Sequence, residues 1–133
     1  MKIVTPDYTY SAIVTSIHDG DTCRLDVDLN QRINLIDRDF GFHFYVQVQR
    51  LRVHEDFRFF GINAPELATP EGKTALAFLK TMIQVGSTVR AQINKSPSQE
   101  KYGRWLATLF LPDGTNVNQK MIDSGNAVPY LMS

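Results

Sequence analysis

A single strong helical signal stands between two sets of β-patterned runs, and that order limits the fold more than any other feature. Thr69-Pro70-Glu71 opens the helix. It offers a capping hydroxyl, a proline at the first helical position and an acid in the first turn. Ala75, Leu76, Leu79, Met82 and Ile83 follow at helical spacing, and Gly86 is placed to end the helix. Before it, Tyr8 to Ile17 is β-rich, Thr22 to Leu29 alternates, Gly41 to Val53 alternates again, and Phe57 to Ile62 is a short apolar run. Asn30 to Asp39 carries turn signals. After the helix, Ser87 to Ile93 and Trp105 to Leu111 read as strands, and a short helix runs from about Asn116 to a stop at Gly125. The order β-β-β(-β)-α-β-β-α predicts an α+β, mostly β chain. Its natural closure is a five-stranded OB-fold-like barrel with one main helix, a short second helix and an extended β-hairpin insertion.

The 133 residues predict a single domain spanning 1–133. Hydrophobic residues make up 43%, enough for a packed core. Fourteen Lys and Arg balance fourteen Asp and Glu, which argues against coating nucleic acid by charge alone but leaves room for a local basic site. One cysteine, Cys23, excludes an internal disulfide. The sequence shows no signal-peptide pattern and no run approaching 18 apolar residues, so a cytoplasmic protein that does not cross a membrane is expected.

Three polar clusters interrupt the β pattern. The first is the turn Asp19-Gly20-Asp21-Thr22. The second is Arg58-Phe59-Phe60-Gly61-Ile62-Asn63-Ala64-Pro65-Glu66, where an apolar run begins with a cation and breaks into an amide and a carboxylate. The third is Lys101-Tyr102-Gly103-Arg104. Taken singly, each is ordinary turn or loop chemistry. Taken together, they supply what phosphate-ester hydrolysis needs. Hard divalent cations choose oxygen ligands, and Asp21 and Asn63 can share one with Asp19 close by. Glu66 can take a proton from a water attacking phosphorus. Arg58 and Arg104 can each present a planar fork to phosphate oxygens, which lysine cannot replace. His18, His43 and His54 fit no zinc spacing.

In that order, and with the helix between the second and third, these motifs resemble the staphylococcal nuclease (thermonuclease) family over about residues 10 to 130. Asn118, Ser124-Gly125 and Ala127 resemble the family's late helix and the Gly-x-Ala after it. The resemblance implies an OB barrel and calcium-dependent cleavage of DNA and RNA phosphodiesters, with magnesium or another divalent ion as a substitute. By position it implies that Asp21, Asn63 and the Ala64 carbonyl ligate the ion. It makes Glu66 the general base and Arg58 and Arg104 the phosphate clamps. Lys101 and Tyr102 would contact a nucleotide phosphate, and Tyr130 would lie beside the nucleotide.

The chain departs from the family pattern in four ways. Asn63 replaces a ligating carboxylate, the segment before Arg58 is long, the family's final helix is missing, and net charge is zero. These departures predict a compact intracellular or phage-type member. The amide at position 63 also keeps open a catalytically weakened OB module that binds nucleic acid or protein. The hairpin from Asp28 to Phe57 presents Phe42, Phe44, Val46 and Val48 on one face. A lone two-stranded arm is marginal, so this face is expected to pack on the barrel or on a second copy in a homodimer.

Overall fold

In the computed structural model the first long strand, Thr9–Asp19 (β1), reverses at Gly20-Asp21 and returns as Thr22–Asp28 (β2). The structure describes residues 8–29, 34–36, 45–47, 52–93 and 105–130. β2 alternates as its sequence predicts: Cys23, Leu25 and Val27 are buried, and Arg24 and Asp26 are half-buried. Asn34–Ile36 (β3) and Tyr45–Gln47 (β4) pair antiparallel as a separate two-stranded sheet. Arg52–Phe59 (β5) follows, then the two-residue strand Ile62–Asn63 (β6). The helix Pro70–Met82 (α1) leads to Thr88–Ile93 (β7) and Trp105–Phe110 (β8). The short helix Val117–Asp123 (α2) and the two-residue strand Val128–Pro129 (β9) complete the order.

Five strands close a barrel in the order β1-β2-β5-β8-β7. β5 and β8 are parallel, and the other barrel pairs are antiparallel. The expected OB-like barrel with two helices is therefore present. Its interior is filled by Val14, Leu25, Val27, Phe59 and Leu109, all with no exposed area. Each such side chain contributes about 1.5–3 kcal/mol by leaving water. α1 adds Ala75, Leu79 and the following Ile83, and α2 adds Val117 and Met121.

Several boundaries differ from the sequence reading. Asn34–Ile36 forms β3 inside the stretch read as turn signals, because backbone pairing with β4 does not require side-chain alternation. β5 starts at Arg52 rather than Phe57, held by its register with β2 from Asp28↔Arg52 to Thr22↔Arg58. Its outer face carries polar partners: Arg52 meets Asp26 at 2.8 Å, Arg24 meets Asp56 at 3.3 Å, and His54 Nε2 lies 2.8 Å from Thr15 Oγ1. Gly86 does not end α1. The chain leaves the helix at Ile83, which is extended, 1% exposed and still donates its N–H to Leu79 O. Gly86 instead takes a left-handed turn at φ +92° and donates its N–H to Val14 O at 2.7 Å. Phe42, Phe44 and Val48 lie outside the described residues, as does His43.

Candidate active site

The site assembles where the β1–β2 turn meets the end of β5. Register does the first part: Thr22 on β2 pairs with Arg58 on β5, so the Asp19-Gly20-Asp21 turn lies beside the arginine. A bulge between Ile17 and Asp19 breaks the β1–β2 ladder there, a device that re-aims side chains at a strand end. Phe59 N–H donates to Asp21 O at 2.8 Å and fixes the two backbones.

Small residues allow the approach. A Cβ on Gly20 would lie 2.9 Å from Ala64 Cβ and 3.0 Å from Ala75 Cβ, so the turn, the 64–66 loop and α1 meet at this one glycine. A Cβ on Gly72 would overlap the Glu66 carbonyl. That same carbonyl accepts from Thr69 N at 3.0 Å and Thr69 Oγ1 at 2.6 Å, and Thr69 Oγ1 in turn accepts from Gly72 N at 3.0 Å. The helix cap read in the sequence thus also anchors the backbone of Glu66, whose side chain is exposed.

Asp21 is the buried anion of the cluster. Its Oδ2 accepts from Ala64 N at 2.9 Å, and its Oδ1 accepts from Thr22 Oγ1 at 3.1 Å. Asp19 Oδ1 accepts from the Asp21 backbone N–H at 3.0 Å. Burial, and after it the neighbouring Asp19, holds the Asp21 carboxyl above its ordinary range, with the Ala64 amide and Arg58 pulling the other way. A carboxylate held so beside a second one is a site where a cation relieves both charges. Oxygen donors from Asp21, Asp19 and Asn63 suit a hard divalent ion, so the residues present fit the ion that the family resemblance implies. Among the described residues no three His, Cys, Asp or Glu side chains group to hold a metal ion, so an ion here would rest on two carboxylates completed by amide and carbonyl oxygens.

Arg58 lies across this anion. Its Nη2 is 3.8 Å from Asp21 Oδ2 and donates to Asn63 Oδ1 at 3.0 Å, with a longer contact of 3.4 Å to Ile62 O. The two side chains of the ion pair are only 13% and 8% exposed, so the pairing is little screened by water. Arg58 Nε is buried and has no partner among the described residues. Tyr130 covers the guanidinium, with Arg58 Cζ 5.5 Å from the ring centroid.

The structure thus brings together Asp19, Asp21, Arg58, Asn63 and Ala64, and it places Tyr130 on Arg58. Lys101, Tyr102 and Arg104 lie outside the described residues. Trp105, one residue after Arg104, pairs with Phe57, one residue before Arg58. Cys23 is fully buried, and burial pushes its thiol far up, as expected of a core residue.

Sequence reasoning missed two residues. Thr22 closes the turn and opens the alternating strand in the sequence, with no mark of a site role, yet its register opposite Arg58 places its hydroxyl on Asp21. Asn118 was noted for resemblance alone. It is 4% exposed and ties the end of β5 to β8: its Nδ2 donates to Phe60 O at 2.9 Å and Ala107 O at 3.0 Å, and its Oδ1 accepts from Leu109 N at 3.1 Å. A lone asparagine on the buried side of an amphipathic helix was the available signal.

A closed OB-type barrel with a buried carboxylate, a covered arginine and a loop carboxylate at one end defines a class of small β-barrel proteins with a candidate phosphate site. Comparison with known families makes this specific: the model of the staphylococcal nuclease homologue family matches residues 56–133, and the chain belongs to that family. The matched residues contain Arg58, Asn63, Glu66 and Arg104 but not Asp19 or Asp21, which the fold alone brings alongside. An uncharacterized endonuclease of Escherichia coli O157:H7 is 32% identical over 85 residues, covering 64% of this chain and 53% of the relative. Endonuclease YhcR of Bacillus subtilis (strain 168) is 30% identical over 86 residues, 56% of this chain and 7% of the relative. The chain therefore spans about half the length of the Escherichia coli relative and a small part of the Bacillus one. Among the described residues no helix is long and apolar enough to cross a membrane.

Proposed function

We propose that this chain hydrolyses phosphodiester bonds of DNA, with RNA as a second substrate class, at the cluster of Asp21, Arg58 and Asn63 with Glu66 on the adjoining loop. One observation carries the reading. Arg58 is pinned through Nη2 beside a buried carboxylate while its Nε donor has no partner among the described residues. Arg58 Nε–H is a guanidinium donor that no described protein group takes, the kind of donor from which a phosphate oxygen accepts. The names of the relatives, both endonucleases, agree with it.

Asp21, Asn63 through Oδ1, the Ala64 carbonyl and Asp19 would hold a divalent cation, calcium by first choice and magnesium as a substitute. Such an ion supplies charge neutralisation at a non-bridging phosphate oxygen. Arg58 orients the phosphate and stabilises charge that builds on it, and Arg104 is its partner clamp. Lys101 and Tyr102 contact an adjacent phosphate. Glu66, on a loop fixed through its own carbonyl, takes a proton from the attacking water.

The test is cleavage of single- and double-stranded DNA with calcium, magnesium or EDTA, comparing wild type with Glu66→Gln. Cation-dependent cleavage is expected, falling on the order of 100-fold or more in the variant. A pure wild-type protein that cuts nothing under these conditions overturns the proposal.

The amide at Asn63, whose Oδ1 already accepts from Arg58, favours a second reading: a non-catalytic module that binds nucleic acid or protein. Calorimetry separates the two, since the module binds an oligonucleotide equally with calcium and with EDTA.

A further inference from the structure

We propose that Tyr130 is a positioning residue that acts through Arg58, setting the plane in which the guanidinium meets phosphate; this rests on the reading of Arg58 as a phosphate clamp. Arg58 Cζ lies 5.5 Å from the Tyr130 ring centroid, within the range of an attractive cation–ring contact. The backbone that carries the ring is fixed. Tyr130 N–H donates to Gly61 O at 2.8 Å, and the two residues before it pair antiparallel with β6, Pro129 with Ile62 and Val128 with Asn63. β6 is also where Arg58 finds its acceptors, Ile62 O and Asn63 Oδ1. One short ladder therefore carries both the acceptors and the ring.

The geometry divides the task between them. A guanidinium is a rigid planar fork. Both acceptors take only Nη2, so beyond the covalent tether at Cδ one corner is held and rotation about the line between them is not fixed by a hydrogen bond. A ring whose centroid lies 5.5 Å from Cζ restricts that rotation. What then has a set direction is Nε–H, the buried donor without a partner among the described residues. Pre-set donors cost no reorganisation when charge develops on the substrate. Tyr130 is 44% exposed, which also suits a ring that stacks on a nucleobase. The two roles differ in what they move: a base stacker alters KM, whereas a residue acting through Arg58 alters kcat and has no effect once Arg58 is changed.

The experiment uses the full chain with Tyr130→Leu and Tyr130→Phe, each in the wild-type and Arg58→Lys backgrounds. Tyr130→Leu should lower kcat roughly fivefold with KM little changed, and Phe should recover the loss because it keeps the ring. In the Arg58→Lys background, Leu and Phe should not differ. The Arg58 Nε–Hε proton resonance, shifted by the ring, should move in Tyr130→Leu and hold in Tyr130→Phe. A KM effect with unchanged kcat, or additive effects in the two backgrounds, overturns the proposal. So does a resonance that is indifferent to Leu. The resonance is read without turnover, so a wild type that cleaves nothing removes the nuclease reading while the positioning claim still stands or falls on the spectrum.

Discussion

The two ends of the barrel are built on opposite principles from the same strands. At one end, the close of β1, the start of β2 and the end of β5 are locked by named contacts: Gly20 against Ala64 and Ala75, Ala64 N–H on Asp21, and Arg58 on Asn63. Toward the other end, Tyr8, Tyr10, Val27, Leu29, Val53, Phe57, Ile93 and Trp105 line an apolar cavity of about 270 Å³ among the described residues. The first end specifies positions to within a hydrogen bond. The second asks only for apolar area. Stability and chemistry are therefore expected to respond separately to substitutions at the two ends.

Substitutions can break that separation. The largest effect is expected at Arg58. Arg58→Ala should lower cleavage about 100- to 1,000-fold, the usual cost of removing one preorganised donor, with folding retained by circular dichroism. A small loss would mean that the locked end does not carry the chemistry. Asn118→Ala should come next, acting on stability. It leaves Leu109 N–H and Phe60 O without this partner, while Ala107 O keeps its bond from Phe60 N–H, at a cost of about 2–3 kcal/mol in urea denaturation. Leu29→Ala at the open end should cost only about 1 kcal/mol and leave cleavage untouched, because its side chain is already half exposed to the cavity.

Asp21→Asn should show the smallest effect on stability and the most informative sign. The folded-state pKa of Asp21 is raised above its ordinary 3.8, chiefly by burial. The folded protein then keeps the proton to higher pH than the unfolded chain. This contribution is present below 3.8 and is lost as pH rises through the folded pKa, so the ionised group is a cost at neutral pH. The variant should melt higher than wild type at pH 7 without added cation, and its advantage should shrink as pH falls toward 4.

Much of the fold was legible because its signals are local. Thr69 and Pro70 announce α1 by chemistry that acts within one turn, and the alternation of Cys23, Leu25 and Val27 announces a half-buried strand. β6 and β9 were invisible: two residues each cannot show a period, and their pairing joins positions far apart in sequence. The site followed the same division. Asp21, Arg58, Asn63 and Glu66 could be named from motifs, since each lies in a marked break of the pattern. That Ala64 would present its N–H to Asp21, or that Tyr130 would cover Arg58, depends on tertiary approach and left no local trace.

The two-residue pairing of β6 with β9 makes function a property of chain continuity. A cut at the exposed Val85-Gly86 turn leaves Asp21, Arg58 and Asn63 on one piece and Tyr130 on the other, along with β7 and β8. Neither piece holds the barrel or the whole cluster, so the cluster re-forms only if the two reassociate. A proteolytic nick, a stalled synthesis or a split-protein reporter would all meet the same rule: this site exists only where both halves of the chain have found each other.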